Sequence, residues 1–71
     1  MKYVICHKLY NYLFIADHQN QNSWHWDSRS RLEKSSLFNS PYEAKEVVDK
    51  FALYNTEIIS LHEAKLGHNK L

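Results

Sequence analysis

The chain has very little cysteine, glycine and proline, and each shortage excludes a class of structure or function. Of 71 residues, one is a cysteine, one a glycine and one a proline. With Cys6 alone, no internal disulfide can form, and a structural zinc would need an unpatterned set of ligands. Without more glycines the chain has no phosphate-binding loop, dinucleotide fingerprint or nucleophile elbow, so the common nucleotide-binding and hydrolase motifs are excluded.

Long apolar runs are also missing. No apolar stretch approaches the roughly 20 residues that a membrane-spanning helix needs. Residues 1–10 lack the longer apolar region and the small-residue cleavage site of a signal peptide. The single unpaired cysteine fits a reducing compartment. We therefore expect a cytoplasmic protein that does not contact membranes.

Composition and charge indicate one small folded domain. Hydrophobic residues make up 44% and aromatic residues 14% of the chain, which argues against disorder. A domain of this size buries only about 60% of its extended-chain surface, so its core is thin and leaves little room for an internal cavity. The net charge of +1 gives no strong field that would attract nucleic acid or acidic lipid. We expect a single domain over residues 1–66 and a frayed tail over 67–71.

Two apolar runs near the start of the chain predict a β-hairpin. Residues 3–6 and 12–16 are rich in β-branched and aromatic side chains. Asn11 lies between them and is the residue best able to take a left-handed turn conformation. Neither run alternates cleanly between apolar and polar side chains, which suggests that at least one is a central strand. The polar residues 17–22 predict a loop.

The clearest local signal predicts an α-helix over residues 41–53. Ser40 is suited to the N-cap, Pro41 to the first helical position, and Glu43 to the capping box. Apolar side chains then recur with helical spacing and predict one inward face. These residues are Ala44, Val47, Val48 and Phe51. Asn55 is a plausible stop signal.

The residues after this helix predict a returning strand. Ile58, Ile59 and Leu61 follow the helix end closely, although Glu63, Ala64 and Lys65 leave a second helix as the alternative. The predicted fold class is α+β. It consists of a small antiparallel sheet, made of the hairpin and one or two further strands, with one helix packed on one face in the order ββ(β)αβ.

The segment "SWHWDSRSR", residues 23–31, carries the candidate binding site. In a strand, Trp24 and Trp26 point to one face and His25 to the other. Two interpretations stay open: the indoles pack over the hairpin as core, or they form an exposed hot spot with the arginines. On the second interpretation the arginines are exposed and expendable for folding. The candidate partner-binding residues are Trp24, His25, Trp26, Arg29 and Arg31.

Other chemistries have weaker support. Stacking rings beside cations would suit single-stranded nucleic acid, but Asp27 and Glu33 interrupt the basic stretch, so nucleic-acid binding is the second hypothesis. The histidines at 7, 18, 25, 62 and 68 form no metal-binding pattern, and we expect no metal and no cofactor. Cys6 and His7 are adjacent in a strand, so their side chains diverge and cannot form a catalytic couple. Cys6 is expected to be a buried, small apolar residue, and the protein is not expected to be an enzyme.

The order of elements resembles a family of small uncharacterised proteins of bacteriophages and other mobile elements. The resemblance covers about residues 2–61 and rests on "KYVI", "YLFI", a tryptophan, "SSLFNSPYEA" before an amphipathic helix, and "TEIISL". The chain departs from that pattern at Ser35, where an alanine is expected, and in its more polar segment 27–34. What the resemblance implies is an accessory protein in the host cytosol that binds and inhibits a host enzyme or defence complex.

Overall fold

Four short antiparallel strands form one sheet, and helices cover both of its sides. The structure, a computed structural model, describes residues 1–16 and 23–67. The elements are β1 (Tyr3–His7), β2 (Tyr12–Ala16), β3 (Trp24–Ser28), a 3₁₀ helix (Arg29–Lys34), α1 (Pro41–Lys50), β4 (Thr56–Ser60) and α2 (Leu61–Gly67). The sheet order is β3-β2-β1-β4, with every neighbouring pair antiparallel. The predicted α+β class is confirmed. The sheet has two strands besides the hairpin, within the one or two expected, and both hairpin strands are central where at least one was expected.

The start of α1 is the one that the sequence predicts. The Glu43 N–H donates to Ser40 Oγ at 3.2 Å, so Ser40 is the N-cap and Pro41 occupies the first turn. The Glu43 carboxylate reaches one residue further back than in a standard capping box and accepts from the Asn39 N–H at 2.9 Å. The Lys2 ammonium also bonds the Asn39 side chain. This end of the helix is therefore tied to the N-terminus of the chain.

The end of α1 comes three residues earlier than predicted. The helix stops at Lys50 because Ala52 adopts a left-handed conformation, with φ 51°. The Leu53 N–H donates to the Val48 carbonyl at 3.0 Å and the Ala52 N–H to the Asp49 carbonyl at 3.3 Å, which is the Schellman pattern. The prediction of 53 was wrong because alanine gives no sequence signal for a left-handed cap. Asn55, the predicted stop, does have a positive φ of 54°, but it lies in the connection to β4.

The residues after α1 form both a strand and a second helix. β4 pairs with β1 along its whole length, which confirms the predicted strand. The Ser60 hydroxyl then accepts from the Glu63 N–H at 3.0 Å, so the last strand residue caps α2. The prediction of one helix on one face was therefore incomplete. Strand and helix, weighed as alternatives for residues 56–66, follow one another instead.

The sheet carries a separate apolar cluster on each side. On the side covered by α1, called the α1 face, Ile5 and Phe14 are fully buried against Ala44 and Leu53. On the other side, the α2 face, Val4, Cys6 and Leu13 are buried against Ala64 of α2, and Leu32 of the 3₁₀ helix packs beside them. Adjacent strand residues alternate between the two clusters, as the pleat requires. The 3₁₀ helix and α2 therefore form a layer on the α2 face that was not predicted from the sequence.

A short segment, residues 36–38, lies between β1 and β2 where those strands separate. Phe38 exchanges backbone hydrogen bonds with Tyr3 at 2.8 and 2.9 Å. On the other side, Ser36 N–H donates to the Phe14 carbonyl at 3.2 Å and Ser36 Oγ accepts from the Ala16 N–H at 2.8 Å. The segment thus satisfies backbone groups that the open end of the hairpin leaves unpaired. Phe38 also packs into the α1-face cluster.

The turn of the hairpin forms without a left-handed residue. Among residues 1–16 and 23–67, Ala52 and Asn55 are the only non-glycine residues with a positive φ. The left-handed turn conformation predicted at Asn11 was therefore wrong. The turn is instead closed by the Tyr12 N–H donating to the Tyr10 carbonyl at 2.9 Å and the Leu9 N–H donating to His7 Nδ1 at 3.1 Å. The loop predicted for residues 17–22 and most of the predicted tail, residues 68–71, lie outside the described residues.

Candidate partner-binding surface

The two tryptophans lie on the α1 face, at the edge of its apolar cluster. β3 is the outer strand of the sheet, and its pleat points both indoles toward Phe14 of β2, with ring centroids 5.6 Å away for Trp24 and 6.3 Å for Trp26. Trp24 also meets Phe51 of α1 at 6.3 Å. Both indoles are only half-buried. They belong to the core and also reach the surface, so both interpretations of this pair are partly correct.

The indoles continue into a row of rings that ends in solvent. Trp26 meets the His7 ring edge-on at 5.1 Å, His7 lies 5.1 Å from Tyr10, and Tyr10 lies 6.0 Å from Tyr12. Tyr10 is 62% exposed and Tyr12 is 44% exposed. We call these five rings the aromatic strip: Trp24, Trp26, His7, Tyr10 and Tyr12. Aromatic surface that is ordered by its neighbours and open to water is typical of protein-binding hot spots.

Sequence reasoning missed three members of the strip. Tyr12 could have been placed by alternation, because it lies two residues before Phe14 in β2 and therefore on the same face. His7 follows in the same way from Ile5 in β1. Tyr10 carries no such signal because it belongs to the turn, and its position depends on the ring contact with His7.

The remaining predicted site residues lie away from the strip. His25 is exposed and, by alternation along β3, points to the α2 face together with Asp27. Asp27 Oδ2 lies 3.8 Å from the Arg31 guanidinium, whose side chain is 59% exposed. Arg29 contacts Cys6 and lines a surface depression with Leu32, both of which belong to the α2 face. The fold therefore separates the tryptophans from the histidine and the arginines that the sequence grouped with them.

Arg29 is a half-buried residue on the α2 face rather than a free surface cation. Its guanidinium lies near the Cys6 thiol and acts on it electrostatically. Its Nε is buried and has no partner among residues 1–16 and 23–67. Burial raises the pKa of the Cys6 thiol, the nearby Arg29 charge offsets part of that rise, and the Glu57 carboxylate adds to it. The thiol is thus buried and protonated, as expected of a structural cysteine.

The α2 face also carries a groove between the 3₁₀ helix and α2. It has a volume of about 360 Å³, opens to solvent, and is lined by Leu32, Glu33, Leu37, Leu61 and Lys65. A smaller depression of about 140 Å³ adjoins it at Arg29 and Ser30. The larger volume is near the lower limit of small-molecule sites. The groove presents the Glu33 carboxylate and the Lys65 ammonium beside three leucine side chains.

Three further findings bear on the class of site. In the described ranges 1–16 and 23–67, no group of three or more His, Cys, Asp or Glu side chains is placed to hold a metal ion. Within the same residues, no helix is long and apolar enough to cross a bilayer. No protein-family model, curated protein or solved structure matches this chain significantly. Inferences about its function therefore depend on the arrangement of its surface residues.

Proposed function

We propose that this protein is a non-catalytic protein-binding module that contacts its partner through the aromatic strip. The observation that carries the proposal is the row of rings that runs from the half-buried Trp24 and Trp26 through His7 to the exposed Tyr10 and Tyr12. Trp and Tyr are enriched among residues whose truncation costs most in binding, because they bury a large area with few rotatable bonds.

The strip is prepared for binding because the fold already orders its inner members. Trp24 and Trp26 are held against Phe14, and Nδ1 of His7 accepts a hydrogen bond from the turn. Binding would therefore immobilise few side chains, which keeps the entropic cost of association low. One face of a domain this small can supply the roughly 800 Å² per partner of a standard interface.

The resemblance to small phage and mobile-element proteins supports a particular kind of partner. On that basis the protein acts in the host cytoplasm, and its partner is a host enzyme or defence complex. It inhibits this partner by covering a surface that the partner needs for its activity. A strip of aromatic rings suits such stoichiometric blocking, which needs contact and no chemistry.

The nucleic-acid alternative is less well supported by the arrangement of charges. Single-strand binding combines stacking rings with adjacent cations. Here the strip lies on the α1 face, whereas Arg29 lies on the α2 face and Arg31 pairs with Asp27. The rings thus lack the arginines that would neutralise phosphates beside them.

The experiment compares two exposed tyrosines of the chain. Tyr10→Ala removes a ring of the strip, and Tyr42→Ala is the matched control because Tyr42 is 82% exposed and has no ring contact with the strip. Each tagged variant captures its partner from host lysate after nuclease treatment, and the affinity of the captured protein is then measured over a salt series. We expect Tyr10→Ala to weaken binding tenfold or more and Tyr42→Ala to leave it unchanged.

Two outcomes would reject the proposal. Equal capture by both variants would place the interface away from the strip. Capture that disappears with nuclease, or affinity that falls steeply with salt, would favour the nucleic-acid alternative, because phosphate contacts release counterions.

A further inference from the structure

The outer edge of the sheet at β3 can be described from the hydrogen bonds of β2. Ala16 N–H and the Phe14 carbonyl point toward Ser36, on the side of β2 away from β3. Backbone groups alternate in direction along a strand, so Leu13 and Ile15 are the residues of β2 that bond β3. The register then determines which groups of β3 face outward.

Leu13 and Ile15 pair with Asp27 and His25, whose backbone groups therefore point inward to β2. The backbone groups of Trp24, Trp26 and Ser28 point outward. Among residues 1–16 and 23–67, none hydrogen-bonds the outward N–H or C=O of Trp26. The Ser28 N–H is satisfied locally by the Asp27 carboxylate at 2.7 Å. The edge thus offers a short, partly blocked row of free donors and acceptors, of the kind that pairs with another strand.

We infer that a second copy of this chain pairs antiparallel with β3, with Trp26 opposite Trp26 of the other copy. This register places His25 of each copy directly opposite Asp27 of the other, on the same face and in a close, non-hydrogen-bonded pair. Two-fold symmetry repeats the pair. Centring the contact on His25 would oppose two histidines, and centring it on Asp27 would oppose two carboxylates. Of these three registers, only the one centred on Trp26 places the Asp27 carboxylate opposite a side chain of β3 that can donate a hydrogen bond to it, and this register also engages all five residues of β3.

The other sheet edge, β4, lacks this self-complementarity. The Lys8 N–H donates to the Asn55 carbonyl, so by alternation the residues facing outward on β4 are Thr56, Ile58 and Ser60. A contact centred on Ile58 would oppose Glu57 with Ile59 of the second copy, and a shift toward Glu57 would oppose two carboxylates. Pairing at β3 would instead join the sheets of the two copies with their α1 faces on the same side, so that the aromatic strips become continuous.

The test measures the dimer dissociation constant by sedimentation equilibrium over a concentration series. His25→Asp places two carboxylates opposite each other and is expected to raise the constant at least tenfold. His25→Lys is the matched control, because it places a cation opposite Asp27 and should retain the dimer. His25 is exposed, so at concentrations below the dimer dissociation constant both variants should keep the thermal midpoint of the wild type.

A wild-type chain that stays monomeric up to millimolar concentration would overturn the inference. A dimer whose dissociation constant is unchanged by His25→Asp would do the same, since the interface would then lie elsewhere. Amide exchange gives a direct second readout: the Trp24 and Trp26 amides should become protected as concentration rises, and protection independent of concentration would count against the pairing. Because the His25 side chain lies on the α2 face, these variants leave the aromatic strip intact, and partner capture can succeed or fail independently.

Discussion

Arg29 and Arg31 are two positions apart and chemically identical, yet the fold gives them different roles. Arg29 is half-buried near Cys6, and its side chain lines a depression together with Leu32. The Arg31 side chain is 59% exposed, and its guanidinium lies 3.8 Å from the Asp27 carboxylate. We expect Arg29→Ala to lower the free energy of unfolding by about 1 to 2 kcal/mol and Arg31→Ala by no more than about 0.5 kcal/mol.

Urea denaturation of both arginine variants checks this difference. Arg29→Met keeps the apolar stem without the charge and should recover most of the loss, which would identify packing as the cause. Equal effects of the two alanine substitutions would mean that Arg29 is as exposed as the sequence analysis expected.

The raised pKa of the Cys6 thiol leads us to expect a loss of stability in alkaline solution. Burial raises the pKa of its thiol in the folded protein, so above pH about 8.5 the unfolded chain ionises first and binds fewer protons than the folded one. The free energy of unfolding should therefore fall as pH rises, by at most about 1.4 kcal/mol per pH unit for this group.

The comparison variant for this effect is Cys6→Ala. It is less stable than the wild type at neutral pH because it opens a small cavity, but the difference should shrink between pH 8 and 10, as followed by denaturation midpoints. A constant difference over that range would show that the thiol titrates alike in both states.

At the scale of the elements, the end of α1 contains a strain that one substitution should relieve. Ala52 has φ 51°, where its Cβ approaches the backbone at a cost of about 1 to 2 kcal/mol that glycine avoids. Glycine also loses more entropy on folding, so we expect a net gain of about 0.5 to 1 kcal/mol from Ala52→Gly. Ala44→Gly is the control, because Ala44 is buried in the right-handed part of α1 and should lose at least about 1 kcal/mol. Thermal melting distinguishes the two signs.

The elements that the sequence predicted are those with local causes. Ser40, Pro41 and Glu43 define the start of α1 by contacts within four residues, and the runs that became β1 and β2 are recognisable from their own β-prone composition. The segment 36–38 was not predictable, because its partners are strands at least 20 residues earlier in the chain. The early end of α1 was missed because Ala52 is an ordinary helix former by propensity.

The candidate site was predicted only in part for the same reason. Alternation along β3 correctly separated His25 from the indoles, since the side-chain direction in a strand is a local property. After Ser28 the strand gives way to the 3₁₀ helix, so alternation no longer predicts side-chain direction. Arg29 lines a depression with Leu32, which packs against the α2-face cluster. Sequence proximity of rings and arginines therefore did not become spatial proximity.

At the scale of the whole molecule, one sheet stabilises two thin clusters. Residues of β1 and β2 alternate between the α1 face and the α2 face, so neither cluster can loosen without disturbing the strands that carry the other. Neither cluster is large, and a domain of this size has only a few kcal/mol of net stability. We therefore expect the two faces to unfold together.

Two natural probes report on the two faces separately. Fluorescence of Trp24 and Trp26 follows the α1 face, and labelling of the Cys6 thiol follows the α2 face. For a cooperative domain the two probes should give the same denaturant midpoint.

Phe51→Ala removes a ring 6.0 Å from Phe14 on the α1 face only. Because Phe51 is partly buried, this substitution should lower the free energy of unfolding by about 2 to 4 kcal/mol. It should nevertheless expose Cys6 at the same lowered denaturant concentration, while Leu66→Ala, at a position 54% exposed, should shift neither probe. Separate midpoints for fluorescence and thiol labelling, in the wild type or in Phe51→Ala, would mean that α2 and the 3₁₀ helix form a layer able to open while α1 stays packed.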